Sequence, residues 1–326
     1  MDSSPIILLD YPSIHDIKAG GSLLGYPGSL FRVASEYAGL SNPQFVTLFP
    51  PPPSQKSSLY FTPRKKATDD KANPLHFKHG HLRGPYVADY NRVRESLRGA
   101  RFVVALGELS YWCLTGARLS DNRGVITYWD GVRVIGSHHP RDIIRQHHLL
   151  PVLAMDLKKA VTESAHARST FPLRRIHVVE TLRDMDRAVD RILRAGAFAF
   201  DIETADCQIT MICFAPSPTE VYVVPIFWGS HNFWTEDEEV QIWTRIQILM
   251  ASPARKIAHN ATYDLTYLKM TGIEARYPVD DTMLLSHSNE IEWLKSLGFL
   301  GSIYCNERSW KLLRVGKVKD RNKADE

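Results

Sequence analysis

Phe198-Ala-Phe-Asp-Ile-Glu-Thr204 decides the fold, because two carboxylates stand two residues apart inside an apolar run. A β-strand turns residues i and i+2 to one face. Phe198, Phe200 and Ile202 are therefore expected to face a core, with Asp201 and Glu203 projecting together from the other side. Adjacent carboxylates repel unless something positive lies between them. The simplest occupant is a hard divalent cation such as Mg2+ or Mn2+, which prefers oxygen ligands. A plain solvated strand face has the same spacing, so the pair alone does not separate the two readings.

Downstream, Lys256-Ile-Ala-His-Asn-Ala-Thr-Tyr-Asp-Leu-Thr-Tyr-Leu268 reads as a short buried strand running into a helix. His259 or Asn260 is the expected N-cap, and Gly272 marks the far end. Asn260 and Asp264 then lie one turn apart, with Leu265 and Leu268 toward the core. The helix dipole by itself would favour a carboxylate at Asp264.

Together the two stretches resemble the 3′–5′ exonuclease (DEDD) domain of family A DNA polymerases. Asp201-Ile-Glu203 matches its D-x-E strand, and Asn260 to Asp264 matches its N-x-x-x-D strand-to-helix junction. Pro278-Val-Asp-Asp-Thr-Met-Leu284 resembles the family's D-T-M helix start. Lys295-Ser-Leu-Gly-Phe-Leu-Gly-Ser-Ile-Tyr304, with Trp310-Lys311, is similar to the bacteriophage branch. The resemblance runs from about Arg174 to Lys311 and implies a ribonuclease H-like fold. It further implies two divalent cations, Mg2+ or Mn2+, held by Asp201, Glu203 and Asp264 as metal-binding catalytic residues. Thr204 and Asn260 would lie against the DNA, a single-stranded 3′ end. The implied role is proofreading in DNA replication.

The chain has 326 residues, 44% hydrophobic and 23% charged, which allows two globular domains of ordinary size. Forty Lys and Arg against 36 Asp and Glu give a net charge of +4, which permits nucleic-acid binding without requiring it. The four cysteines (Cys113, Cys207, Cys213, Cys305) contain no C-x-x-C pair, so neither a zinc ribbon nor a disulfide framework is indicated. No apolar run approaches the ~20 residues of a membrane span, and the N-terminus is unlike a signal peptide. A soluble protein without membrane association is expected, in a reducing cytoplasm (the bacterial host's, if the source is a bacteriophage).

In the first half, Ile6–Leu9, Phe45–Phe49, Phe102–Leu106 and Val132–Ile135 read as strands. Helical patterns run through Leu30–Tyr37, Tyr90–Leu97, Leu109–Leu114 and Leu150–Ala165. Residues 54–80 read as a long polar surface loop. The alternation implies an α/β layer fold. Ala105-Leu-Gly-Glu-Leu-Ser110, Leu114-Thr-Gly116 and His139-Pro-Arg-Asp-Ile-Ile-Arg145 resemble the uracil-DNA glycosylase superfamily, nearest its bacterial family 4 branch. That implies a three-layer α/β domain in which Asp10, His139 and Arg145 line a glycosylase-like pocket. The family's glycines are missing around Asp10 and Pro12, so a degenerate, non-catalytic domain is expected, used for packing, DNA contact or uracil sensing. Only Cys113 of the four cysteines lies in this domain, so no iron–sulfur cluster is expected.

The expected organisation is a glycosylase-like domain over 1–165, a linker over 166–172, an exonuclease domain over 173–311 and a basic polar tail over 312–326. The family's third exonuclease motif, Y-x-x-x-D, has no match. Tyr304 is followed four residues later by Arg308, and the spacing from His287 to Glu292 only echoes a variant form. Three explanations stand: a split polymerase whose partner polypeptide supplies the motif and the polymerase domain, a fragment or truncation, or a ligand folding back from Asp320 or Asp325. If the domain stops before its last helix, a partner is expected to cover apolar surface.

Overall fold

A computed structural model describes residues 4–50, 60–63, 76–77, 80–169, 171–229, 231–305 and 307. The described residues form two compact units, one drawn from Met1–Thr170 and Gly298–Glu326, the other from Phe171–Leu297. The sequence reading ends the second domain at 311; the compact units divide at Leu297.

The first unit is built on a five-stranded sheet in the order Gln44–Thr47, Ile6–Leu9, Phe102–Leu106, Val132–Ser137, Ile126–Trp129. The first four strands are parallel and the last is antiparallel. Phe102–Leu106 is buried at every position, the pattern of a parallel strand covered on both faces. On one face Ile7, Phe102, Val104 and Ile135 pack with Phe31, Leu153 and Leu157. On the other, Leu8, Val103, Ala105 and Val134 pack with Tyr90, Val93 and Leu109. The result is the expected helix–sheet–helix layering. Ile126–Trp129 was not foreseen; it pairs with Val132–Ser137 across an Asp130-Gly131 turn in which both residues have positive φ.

Within residues 54–80, expected to be loop, the described parts form short antiparallel strands at Phe61–Pro63 and His76–Phe77 around Gly80–Leu82. Buried Tyr60, whose hydroxyl donates to the Pro50 carbonyl at 2.9 Å, and buried Leu82 anchor this ribbon. Residues 51–59, 64–75 and 78–79 lie outside the described set.

From Gly298 the helix Leu297–Tyr304 contributes to the first unit. Arg123 pairs with Asp156 at 2.6 Å, both buried, and Asp156 also accepts from the Ser137 hydroxyl at 2.6 Å. The Arg123 guanidinium donates to Ser302 Oγ and lies 4.8 Å from the Phe299 ring centroid. Lys159 Nζ donates to the carbonyls of Gly124 (3.0 Å), Cys305 (2.8 Å) and Ser302.

The second unit holds a six-stranded sheet in the order Val279–Asp281, Arg255–Ala258, Ala197–Ala205, Gln208–Ser217, Glu220–Pro225, Arg175–Val178. Gln208–Ser217 runs antiparallel to both neighbours; the other pairings are parallel. This mixed sheet is consistent with a ribonuclease H-like fold. Thr181 caps the helix Leu182–Ala195 by accepting from the Asp184 amide, and left-handed Gly196 (φ 71°) ends it. The helix Glu236–Ala251 opens on a Thr235/Glu238 capping box. These helices and the sheet bury Met185, Ile192, Phe198, Phe200, Ile212 and Leu249 in one core.

Candidate active site

The strand Ala197–Ala205 alternates as its sequence demands. Phe198, Phe200 and Ile202 are buried in the core, while Asp201 is exposed and Glu203 half-buried on the opposite face. Across the antiparallel ladder Cys213 stands opposite Asp201 and Met211 opposite Glu203. A shift in register between Glu203 and Thr204 ends the regular pairing at the carboxylate pair.

The helix Ala261–Met270 brings the third carboxylate to this strand. Asp264 Oδ1 accepts the Ile202 backbone N–H at 3.0 Å, so it meets the strand between the two acidic residues. Burial pushes the Asp264 carboxyl up to about 6, with the charges of Asp201 and Asp281 adding to the rise and the Ile202 N–H opposing it. The Cys213 thiol is pushed up to about 11 by burial, then by the charges of Asp201 and Glu203. Negative charge is thus concentrated on this face.

Asn260 is the N-cap position, but its backbone is left-handed (φ 65°) and its side chain makes no capping bond. It therefore does not share a regular helical face with Asp264. Capping comes instead from Asp281, which accepts the N–H groups of Asn260 (3.0 Å), Ala261 (2.9 Å) and Met283 (2.8 Å). Burial opposes the charge on Asp281, yet these backbone donors outweigh it and hold the carboxyl below its ordinary range. Thr204 lies at the end of the carboxylate strand with its hydroxyl 2.6 Å from that of Tyr263, whose ring centroid is 4.9 Å from that of Tyr267. Sequence reasoning missed Tyr263, Cys213 and the part played by Asp281. For Cys213 the strand pairing held the signal, and for Tyr263 its place beside Asp264 did.

Three carboxylates are a hard-oxygen donor set suited to Mg2+ or Mn2+, and a buried carboxylate facing another negative charge is stabilised by a cation. Among the described residues, however, no three His, Cys, Asp or Glu side chains already close into a metal-holding group. The donor chemistry fits an ion, on which these side chains would have to converge.

In the first unit, Asp10 and His139 are both buried at the carboxyl ends of parallel strands, where ligand sites of α/β sheets lie. Asp10 Oδ1 accepts the Ser110 N–H at 2.7 Å, at the start of the helix Glu108–Thr115. Burial raises its carboxyl to about 6 against that hydrogen bond and the Arg141 charge. His139 is held well below its usual range by burial and by Arg141. Arg141 donates Nε–H to His139 Nδ1 at 3.3 Å and lies 4.2 Å from the Tyr11 ring centroid. Arg145 was the arginine expected here; it lies exposed beyond the short helix Pro140–Ile143, and Arg141 takes the place beside His139.

Residues 176–324 match the family model described as 3′-5′ exonuclease. No curated protein matches the chain. Among solved structures the chain is similar to Trypanosoma brucei RNase D, at 20% identity and a TM-score of 0.28 over 34% of this chain and 39% of that one. It is also similar to the Aedes aegypti Nibbler EXO domain (14%, TM-score 0.37, 47% and 80%). A third likeness is to Escherichia coli RNase D, an exoribonuclease involved in structured RNA processing (15%, TM-score 0.32, 41% and 34%). The chain spans about two fifths of the length of the first of these. The part of the chain that carries Asp201, Glu203 and Asp264 is a 3′–5′ exonuclease domain.

Proposed function

We propose that the second unit removes nucleotides from the 3′ end of single-stranded DNA, as the proofreading part of a split family A-type replication polymerase. The observation that most supports this is the meeting of Asp264 with the Ile202 amide, which sets a third carboxylate beside the strand that carries Asp201 and Glu203. These three side chains would hold two divalent cations, Mg2+ or Mn2+. When bound, such cations activate a water, offset charge on the phosphorane-like transition state and assist departure of the 3′ oxygen. Thr204, steadied by Tyr263, and the exposed Asn260 are assigned to the terminal nucleotide. Neither singles out a base, which suits an enzyme that must remove any mispaired end.

The test is digestion of 3′-recessed, single-stranded DNA and RNA by the purified chain with Mg2+ or Mn2+, beside Asp201→Ala. Digestion of DNA by the wild type alone is expected; equal activity in Asp201→Ala would sink the assignment. A second reading, a non-catalytic assembly module that docks a polymerase polypeptide, is favoured by the exposure of Leu284, Leu285, Ile291 and Leu294. Silence of both proteins that persists with a bound polymerase polypeptide carrying Y-x-x-x-D would select it, whereas digestion restored by that polypeptide would select the split nuclease.

For the first unit we infer packing, DNA contact or uracil sensing in place of base excision. Asp10 Oδ1 is engaged as a remote cap on the Ser110 amide, a structural use of the carboxylate that supports a non-catalytic role. Equal binding of uracil-containing and normal strands would end the uracil reading.

A further inference from the structure

Asp281 joins the starts of two successive helices, Ala261–Met270 and Thr282–Asn289. One carboxylate accepts from Asn260 and Ala261, which begin the helix bearing Asp264, and from Met283 and Leu284, which begin the helix Thr282–Asn289. It is buried, and it ends the strand Val279–Asp281, which pairs in parallel with Arg255–Ala258. A second tie reinforces this junction, since the Thr282 hydroxyl donates to the Ala258 carbonyl at 3.0 Å and stands 2.9 Å from His259 Nδ1.

The consequence falls on Asp264. Asn260 is held left-handed with no capping bond from its own side chain, a conformation that is uncommon outside glycine and needs support from its surroundings. Asp281 supplies that support at the Asn260 and Ala261 amides. The first turn of the helix is thereby fixed, and Asp264 lies in that turn. Its Oδ1 then reaches the Ile202 N–H in the middle of the carboxylate strand.

We infer that Asp281 is a positioning residue of the nuclease site, holding Asp264 in register with Asp201 and Glu203 by fixing the left-handed entry to its helix. It touches neither substrate nor metal in this role. The inference rests on the nuclease reading for its catalytic consequence, but its structural content is independent of that reading. Both Asp281 oxygens are engaged by backbone donors from the two helices.

The experiment compares wild type, Asp281→Asn and Asp281→Glu in the full chain, with folding checked by circular dichroism. Hydrogen exchange at the Ile202 amide, the direct partner of Asp264, is followed alongside the Mn2+ dependence of 3′ digestion. In a folded Asp281 variant, exchange at Ile202 should quicken by about tenfold or more relative to Val224 on the far side of the sheet. Turnover should fall on the order of a hundredfold with the KM for the strand little changed, the signature of a misplaced catalytic group. Unaltered Ile202 exchange in a folded variant would overturn the proposal. So would failure of both variants to fold, which would assign Asp281 to stability alone. If wild type itself fails to digest DNA while the exchange result holds, the nuclease reading falls and the positioning role stands.

Discussion

Cys213 faces Asp201 directly across an antiparallel ladder, and its thiol carries the imprint of that neighbour. A thiolate there would have to form in a half-buried site beside two carboxylates. Alkylation of Cys213 by iodoacetamide is therefore expected to stay slow through neutral pH and to rise only toward about 11, and to lag behind Cys207 and Cys305, which lie exposed to the reagent. Mass spectrometry of the separate peptides gives the three rates; early reaction at Cys213 would contradict the crowding of negative charge.

Asp264 makes stability and activity pull in opposite directions. Its folded carboxyl titrates near 6 against an ordinary value of 3.8, so the folded state keeps a proton that the unfolded chain has released. Stability then falls as pH rises from about 4 to about 6, by up to about 3 kcal/mol through this group. Asp264→Asn, which can still accept the Ile202 N–H, should melt higher than wild type at pH 7 and gain nothing at pH 4. Paired thermal scans at the two pH values test the sign. Asp264→Asn should have no nuclease turnover, because it lacks the carboxylate assigned to the cations.

Gly107 has φ +115° at the start of its helix, and a Cβ there would be driven into the Asp10 carboxylate. Gly107→Ala is expected to destabilise the first unit by about 2 kcal/mol or more, from backbone strain and displacement of a buried charge. Urea unfolding monitored by a probe in the first unit measures it. The exonuclease unit should keep its own transition.

The Arg123–Asp156 pair is buried on both sides, and removing one partner leaves the other charge uncompensated. Asp156→Ala should cost about 3–5 kcal/mol, far more than Asp190→Ala, whose pairing with Arg194 is exposed. The difference between their unfolding midpoints checks the claim.

Much of the site was legible because it obeys local rules. Period-two alternation placed Asp201 and Glu203 on one face opposite Phe198, Phe200 and Ile202. Thr181, Gly196 and Thr235 announced helix ends through short-range capping chemistry. Other features depend on distant partners. The role of Asp281 depends on Asn260 and Ala261, and a left-handed Asn260 has the same letters as a capping one. Arg141 displaced Arg145 because a short helix turns the latter outward, a matter of geometry and not of spacing. Ile126–Trp129 could have been found, since Asp130-Gly131 is a recognised hairpin signal.

The return of Ser302 to Arg123 and Lys159 has a meaning for the order of events during synthesis. The Arg123–Asp156 pair can close within the first 170 residues, but the ties of Arg123 and Lys159 to Ser302 and Cys305 must wait while 171–297 is translated. Contacts so remote in sequence form slowly. The exonuclease unit, whose core draws on one continuous segment, is thus able to mature before the part of the chain that precedes it.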